Sequence, residues 1–354
     1  MPAVTWKEQD FHVKLSVRES VRRPRAREEE VFVMAFGKRR EEPSQRFEPA
    51  SSVLQRIFGS DGSLGSELLN ESDRYAAVKS AKFPKPAYTR VIACANQKGG
   101  VGKTTTTVNL AAAFAEAGMR VLVIDMDPQA NASTALGIEH PSGSPSVYDV
   151  LEQRRTIAQV VRPCPQFPTL DVVPSSIDLS GAELEIAGLD DRVDLLKNAL
   201  AEYLKNSGKK YEYVFIDCAP SLGLLVLNAL RAVEEALIPI QAEYYALEGL
   251  GQLLKTIQLV QMSFNPSLRV STMLVTMYDR RTSLSREVYE EIKEHYPDLV
   301  LKTVIPRAVR ISEAPSHAQP IISYDPRSVG AIAYREAALE LAQRGARRPA
   351  AARG

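Results

Sequence analysis

A glycine-rich loop that joins a strand pattern to a helix pattern constrains this chain of 354 residues more than any other feature. The loop, at residues 98–105, reads KGGVGKTT. It follows the apolar run VIACA at 91–95 and leads into VNLAAAF at 108–114, whose small and apolar residues recur at helical spacing. In such a loop the backbone N–H groups turn toward a polyphosphate, and the next helix directs its positive N-terminal end at the same group. The sequence therefore predicts a bound nucleoside triphosphate.

The side chains of the loop add chemistry to its backbone. Lys103 is placed to reach the outer phosphates, and the hydroxyl of Thr104 is placed to ligate Mg²⁺. The loop departs from the general pattern at Gln97, where a first glycine is usual, and it carries a second lysine, Lys98. The predicted nucleotide-binding residues are Lys98, Gly99, Gly100, Val101, Gly102, Lys103, Thr104 and Thr105.

Apolar strand-like runs alternate with helical segments from residue 90 onward. The runs lie at 121–124, 170–173, 213–216, 236–240 and 272–275. Because such alternation with nearly continuous apolar strands is typical of α/β proteins, the chain is predicted to form a mostly parallel, doubly wound sheet with helices on both faces. Its length and its 45% of hydrophobic residues predict one large core with appendages.

The two ends of the chain differ in character from this core. Residues 1–88 switch between basic and acidic clusters with little periodicity, so they are predicted to be a largely disordered N-terminal extension. Short apolar patches at 53–58 and 64–69 leave brief amphipathic helices open as an alternative. The predicted nucleotide-binding domain covers 89–343, and the Arg-, Ala-, Pro- and Gly-rich tail at 344–354 is predicted to be disordered.

Three aspartates stand where strand patterns end. Asp125 and Asp127 follow the run at 121–124, and Asp217 closes the run at 213–216. Because ligands bind at the carboxyl ends of parallel strands, these carboxylates are predicted to lie at the nucleotide site. An aspartate at the end of an apolar strand is typical of the Walker B pattern, in which the carboxylate holds Mg²⁺ through a water molecule. Capping of a loop or a helix is the alternative role.

Charge and cysteine content disfavour several classes of protein. The formal net charge is +1, so any affinity for nucleic acid requires a local basic patch. No apolar run approaches the roughly 20 residues that span a bilayer, and the N-terminus lacks the layout of a signal peptide, so a cytoplasmic protein is expected. Cys94, Cys164 and Cys218 are odd in number and widely spaced, which favours buried thiols over disulfides or a metal site.

Further motifs follow the loop in a fixed order, and they read VIDMDPQANAS, YVFIDCAPSLG, PIQAEYYALEGL, TMYDRRT and VIPRAVRISEAPS. With these motifs and NQKGGVGKTTTTVNLA at the loop, the chain resembles the deviant Walker A ATPases of the ParA/MinD superfamily, and within it the chromosomal ParA (Soj) proteins, over residues 90–341. The resemblance implies a P-loop NTPase fold of the deviant Walker A class at 89–343. It also implies ATP and Mg²⁺ as cofactors and Mg²⁺-dependent hydrolysis of ATP to ADP and phosphate.

The resemblance also implies roles for individual residues. Asp127 matches the residue that orients the attacking water, and Asp125 lies nearer the metal. Lys98 matches a lysine that crosses a dimer interface to contact the triphosphate of the partner subunit, which makes the homodimer conditional on ATP. These matches predict Asp127, Lys98 and Lys103 as catalytic residues, and Thr104, Asp125 and Asp217 as metal-binding residues.

Four arginines follow strand-like runs in the C-terminal third of the chain, and they are Arg280, Arg281, Arg307 and Arg310. Arg281 and Arg310 match positions at which the chromosomal ParA proteins bind DNA without sequence preference. The sequence shows no recognition helix or zinc module, which suits phosphate contacts rather than base contacts. The resemblance thus implies nonspecific double-stranded DNA and a ParB-type centromere-binding protein as partners of a nucleoid-associated protein. Exposed arginines that are merely solvated are the alternative.

The implied function is an ATP-gated DNA-binding switch for chromosome or plasmid segregation, without a membrane partner. A ParA-like ATPase that positions a protein cargo stays open, because its ATPase core would look alike. A MinD-like division-site regulator would need a C-terminal amphipathic helix with bulky apolar residues, which 344–354 lacks. A nitrogenase-reductase type would need two cysteines per subunit in matching motifs to hold a shared Fe–S cluster. The sequence leaves open whether Met1 or Met34 is the true start.

Overall fold

Parallel strands form the centre of the domain. The computed structural model of the chain describes residues 63–221, 223–244 and 246–346, and the strands in these residues form one seven-stranded sheet. They are β1 (Arg90–Cys94), β2 (Val121–Met126), β3 (Arg162–Pro163), β4 (Leu170–Val173), β5 (Tyr213–Cys218), β6 (Glu235–Gln241) and β7 (Arg269–Thr276). The order is β3-β4-β2-β5-β1-β6-β7, and only β3 and β4 pair antiparallel. The predicted mostly parallel sheet is confirmed.

Helices cover both faces of this sheet. In chain order they are α1 (Ser63–Ser80), α2 (Lys103–Glu116), α3 (Asn131–Ala135), α4 (Val147–Leu151), α5 (Ile157–Val160), α6 (Leu179–Ile186), α7 (Leu195–Asn206), α8 (Leu224–Arg231), α9 (Ala246–Ser263), α10 (Ser283–His295), α11 (Val309–Glu313), a 3-10 helix (Ala314–His317), α12 (Ile321–Tyr324) and α13 (Val329–Ala346). Alternate residues of β1 and β5 belong to different cores. Ala93 and Ile216 pack with residues of α4 to α10, whereas Ile92 and Phe215 pack with residues of α2, α3 and α11 to α13. The doubly wound arrangement is thus confirmed.

The register of the central strands places carboxylates side by side. β2 and β5 are buried along their whole length, because both faces of the sheet are covered. Their pairing aligns Asp125 with Asp217, and the pairing of β1 with β5 aligns Cys94 with the same Asp217. The strands β1, β2 and β5 therefore end at one edge of the sheet, where the glycine-rich loop also begins.

The phosphate loop leads into α2 through a left-handed backbone conformation that only glycine, which has no side chain, adopts readily. Gly102 has a φ of 86° and stands immediately before the first residue of the helix, Lys103. Most of α2 is buried, and Phe114 near its end stacks on Tyr213 of β5 with 4.0 Å between ring centroids. The strand, loop and helix predicted around residues 98–105 are therefore present.

The part of the N-terminal extension that the structure describes begins with a helix, and this helix includes the apolar patch at 64–69 for which a brief amphipathic helix is the alternative prediction. Residues 1–62 lie outside the described residues, but 63–80 form α1, which packs against α13. Arg74 donates two hydrogen bonds to the carboxylate of Glu336 at 2.9 and 2.6 Å, and Val78 is buried. The partners lie 262 residues apart in the chain, so charge alternation alone could not reveal them.

The other end of the domain also extends past its predicted boundary. α13 continues to Ala346, three residues beyond the predicted end at 343. Arg344 explains the extension, because its guanidinium pairs with Glu340 at 2.8 Å and donates to the carbonyls of Asp298, Leu299 and Val300. Residues 347–354 of the predicted tail lie outside the described residues.

The docking of α1 predicts a measurable contribution to stability. The ring of Tyr75 lies 5.7 Å from the guanidinium carbon of Arg327 and 5.6 Å from that of Arg335. Because each cation–π contact contributes about 0.5–1 kcal/mol, Tyr75→Ala should lower the free energy of unfolding by about 1–2 kcal/mol. Calorimetry should show a melting temperature lower by about 2–6 °C in a domain of this size. Ser72→Ala, on an exposed position of α1, is the matched control, and equal melting temperatures for both variants would contradict the prediction.

Candidate nucleotide-binding site

The glycine-rich loop encloses the ammonium group of its own lysine. Gly100 and Gly102 both have left-handed backbones, with φ of 74° and 86°, and turn the chain between β1 and α2. Lys103 is buried, and its Nζ donates to the carbonyl oxygen of Lys98 at 3.0 Å. A buried cation at the N-terminal end of a helix is the arrangement that attracts a polyphosphate.

Two hydroxyls of α2 hold the carboxylate at the end of β5. Thr104 donates to Oδ2 of Asp217 at 2.7 Å, and Thr107 donates to Oδ1 at 3.1 Å. Asp217 is fully buried, so burial and the neighbouring charge of Asp125 raise the pKa of its carboxyl to about 8. The structure thus brings together Thr104 and Asp217 of the predicted metal set, and a hydroxyl beside a buried carboxylate is a donor set that suits Mg²⁺.

Asp125, the third residue of the predicted metal set, is bonded to protein donors. Ser133 donates to its Oδ2 from both the backbone nitrogen, at 2.9 Å, and the hydroxyl, at 2.7 Å. The backbone nitrogen of Asp127 donates to Oδ1 at 3.1 Å. Burial raises the pKa of Asp125 to about 6, although the bonds from Ser133 oppose the rise. These contacts favour a role for Asp125 in shaping the turn that carries Asp127.

Asp127 lies at the start of that turn. Its Oδ1 accepts a hydrogen bond from the backbone nitrogen of Gln129 at 2.9 Å, and its side chain is nearly buried. The turn follows β2, so Asp127 lies at the same edge of the sheet as the phosphate loop. The catalytic role of Asp127 stays a prediction.

Lys98 extends away from its own loop. Its half-exposed ammonium group pairs with the carboxylate of Glu243 at 2.9 Å, while its backbone nitrogen donates to Asn96 at 3.0 Å. Glu243 follows β6 and is also hydrogen-bonded by the side chain of Gln241. Sequence reasoning named Lys98 but missed Glu243, because the pairing depends on how β6 ends beside β1.

A small cavity borders the phosphate loop. Its volume is about 220 Å³, and Thr104 and Thr105 lie at one wall, while Ala314, Pro315 and Pro320 lie at another. Pockets for drug-sized ligands measure about 300–1,000 Å³, so this cavity suits a single ring system. The motif VIPRAVRISEAPS contains Ala314 and Pro315 of the second wall, but sequence reasoning did not place these residues at the loop.

The four predicted DNA-contacting arginines come together on neighbouring segments. An isolated parallel bridge joins Tyr278 to Pro306, with Tyr278 nitrogen donating to Ile305 at 2.9 Å and Arg307 nitrogen donating to Tyr278 at 3.0 Å. The bridge lies just before Arg280 and Arg281 in one segment, and just before Arg307 and Arg310 in the other. The side chains of all four arginines, Arg280, Arg281, Arg307 and Arg310, are exposed.

The remaining expectations concern thiols and membranes. Cys94, Cys164 and Cys218 are free and buried, as the sequence predicted. Among the described residues, no group of three His, Cys, Asp or Glu side chains is arranged to hold a metal ion. Across the same residues, no helix combines the length and the apolar character needed to cross a bilayer.

Comparison with known proteins places these features in a family. The family described as an AAA domain matches residues 89–270. The sporulation initiation inhibitor protein Soj of Bacillus subtilis is 50% identical over 256 residues, which cover 72% of this chain and 99% of that protein. The chromosome-partitioning ATPase Soj of Treponema pallidum is 46% identical over 253 residues, which cover 72% of this chain and 97% of that protein.

A solved structure is similar over the same region. It is a cobyrinic acid a,c-diamide synthase from Mycobacterium smegmatis with bound ATP analog and magnesium, 40% identical, with a TM-score of 0.60. The match covers 71% of this chain and 93% of that one. Both Soj proteins are matched over nearly their whole length, and both are more similar to this chain in sequence than the synthase is. The Soj proteins therefore decide the family. The chain belongs to the Soj/ParA family of chromosome-partitioning ATPases.

Proposed function

We propose that this chain binds and hydrolyses ATP with Mg²⁺, dimerises when ATP is bound, and in that state binds double-stranded DNA without sequence preference. Its proposed task is segregation of a chromosome or plasmid together with a ParB-type centromere-binding protein, in the cytoplasm at the nucleoid. The observation that carries the proposal is the contact between Thr104 and Asp217 beside the buried Lys103. The solved relative with an ATP analog and magnesium supports the same assignment.

The nucleotide is expected to lie along the loop. Gly100 and Gly102 let backbone N–H groups face the phosphates, and Lys103 would exchange its bond to the Lys98 carbonyl for the outer phosphates. The base would enter the cavity between Thr105 and Pro315. Thr104 and Asp217 would hold Mg²⁺, which neutralises charge on the phosphates when bound.

Hydrolysis requires a positioned water more than covalent help from the protein. Phosphoryl transfer depends on placement of the attacking group and on neutralisation of charge. Asp127 is the carboxylate proposed to orient the water, and the bond from Gln129 fixes one of its oxygens. Asp125 supports it from the buried side by accepting the Asp127 backbone N–H.

Dimerisation requires Lys98 to leave Glu243. Both side chains are about half exposed, and an exposed ion pair contributes only about 0.2–1 kcal/mol. A charge-assisted bond to a triphosphate is stronger than this, so the pair does not oppose capture of the partner's nucleotide. In the proposed dimer, each Lys98 thus exchanges a carboxylate of its own chain for a phosphate bound to the other.

Variants of the loop and the turn should separate binding from hydrolysis. Lys103→Ala should abolish ATP binding and leave the protein monomeric, because it removes the buried cation of the loop. Asp127→Ala should keep ATP and the dimer but slow turnover by about 10²- to 10⁴-fold, the usual effect of one positioned catalytic group. Gel filtration with ATP and a phosphate-release assay provide both readouts. Turnover of Asp127→Ala at the parent rate would contradict the assignment.

Charge reversal should separate DNA binding from dimerisation. Arg281→Glu or Arg310→Glu should abolish ATP-dependent binding to a random-sequence duplex, while gel filtration still shows the ATP-dependent dimer. Parent affinity should fall with salt with a log–log slope near −0.9 per phosphate neutralised. Lys293→Glu is the control, because Lys293 is an exposed cation of α10 that pairs with Glu290. Normal DNA binding by both arginine variants would remove the arginine cluster from the proposal.

A further inference from the structure

Arg281, one of the proposed DNA-contacting arginines, is held by a carboxylate two residues before it. Its Nε and Nη2 donate to Oδ1 and Oδ2 of Asp279 at 2.9 and 2.8 Å, although the side chain of Arg281 is 88% exposed. The backbone nitrogen of Arg281 also donates to Oδ1 of Asp279 at 3.0 Å. Asp279 therefore occupies the fork of the guanidinium with which an arginine binds a phosphate in bidentate fashion.

Arg310 lies in a similar arrangement on the neighbouring segment. Its Nη1 is 3.4 Å from the carboxylate of Glu313, and its Nε is 3.7 Å from that of Asp325. Its guanidinium also lies over the ring of Tyr324, to whose hydroxyl it donates at 3.3 Å. Beside it, Ile311 packs so closely on α13 that a β-carbon at Gly330 would lie 2.6 Å from its Cγ1, which fixes α11.

The charges in this cluster nearly cancel. Four arginines, Arg280, Arg281, Arg307 and Arg310, lie among three carboxylates, Asp279, Glu313 and Asp325. Arg281 and, more weakly, Arg307 lower the pKa of Asp279, to about 2, so its carboxylate stays charged at any physiological pH. A surface that binds DNA phosphates would have a higher affinity for DNA without these carboxylates, because the carboxylates repel the phosphates that the arginines attract.

We propose that Asp279 and Glu313 compete with DNA phosphates for Arg281 and Arg310, and thereby keep the affinity of this surface for DNA low. The inference rests on the proposed DNA binding. Exposed ion pairs contribute little, so a phosphate can displace each carboxylate from its arginine. Each phosphate must nevertheless first break the bonds between the carboxylate and its arginine, so every ion pair subtracts from the free energy of the phosphate contact. This competition therefore lowers the affinity for DNA by more than the carboxylates raise it by holding the arginines in place.

The test uses replacements of nearly the same shape. Asp279→Asn keeps an oxygen for the Arg281 backbone N–H, and Glu313→Gln keeps the length of the side chain, but each removes one negative charge. With ATP at about 0.1 M salt, each should bind a random-sequence duplex about 3- to 10-fold more tightly than the full-length parent, and the gain should shrink as salt rises. Glu290→Gln is the matched control, since Glu290 is 59% exposed and pairs with Lys293 on α10.

Different results separate the inference from the proposed function. Absence of ATP-dependent DNA binding by the parent would overturn both. If the parent binds DNA, parental affinity in both variants, weaker binding, or an equal gain in Glu290→Gln would overturn the inference alone. In an Arg281→Ala background, Asp279→Asn should lose most of its gain, because the two residues act on one contact. A full gain there would also overturn it. Parental ATP turnover and melting temperature confirm that each variant is folded.

Discussion

The hydrogen bonds from Thr104 and Thr107 to the buried carboxylate of Asp217 connect the central sheet to the helix of the phosphate loop. Asp217 ends β5, and its register neighbour on β2 is Asp125, so two carboxylates without solvent lie side by side. Such a pair is unfavourable unless donors or cations compensate it. The hydroxyls of α2 and the donors of Ser133 provide part of that compensation. The site therefore favours a further cation, which is the physical basis for placing Mg²⁺ there.

Three of the cations proposed to contact phosphates share one arrangement. Lys98 rests on Glu243, Arg281 on Asp279 and Arg310 on Glu313, and each pair is at least partly exposed. Exposed pairs exchange partners at little cost, so a phosphate can replace the carboxylate at each of them. In the proposed cycle, the triphosphate would displace Glu243 first, and DNA would displace the other two carboxylates only in the dimer.

Features that depend on neighbours in the chain could be predicted from the sequence, and those that depend on distant pairing could not. The loop, the strands ending in Asp125 and Asp217, and the buried cysteines follow from local periodicity and known strand geometry. Glu243 and the wall at Pro315 were missed, because β6 and the segment after β7 reach the loop only through the order of the sheet. The docking of α1 could not be predicted for the same reason, since its partner Glu336 lies at the other end of the chain.

One nucleotide site, organised by Asp217, is proposed to control whether the arginine surface binds DNA. Binding of the full-length protein to a random-sequence duplex should be measured by anisotropy with ATP and Mg²⁺, with ADP and Mg²⁺, and with ATP and excess chelator. We expect tight binding only with ATP and Mg²⁺, and its loss in the other two conditions. Equal binding with ADP, or with ATP after removal of the metal, would contradict the coupling between the two sites.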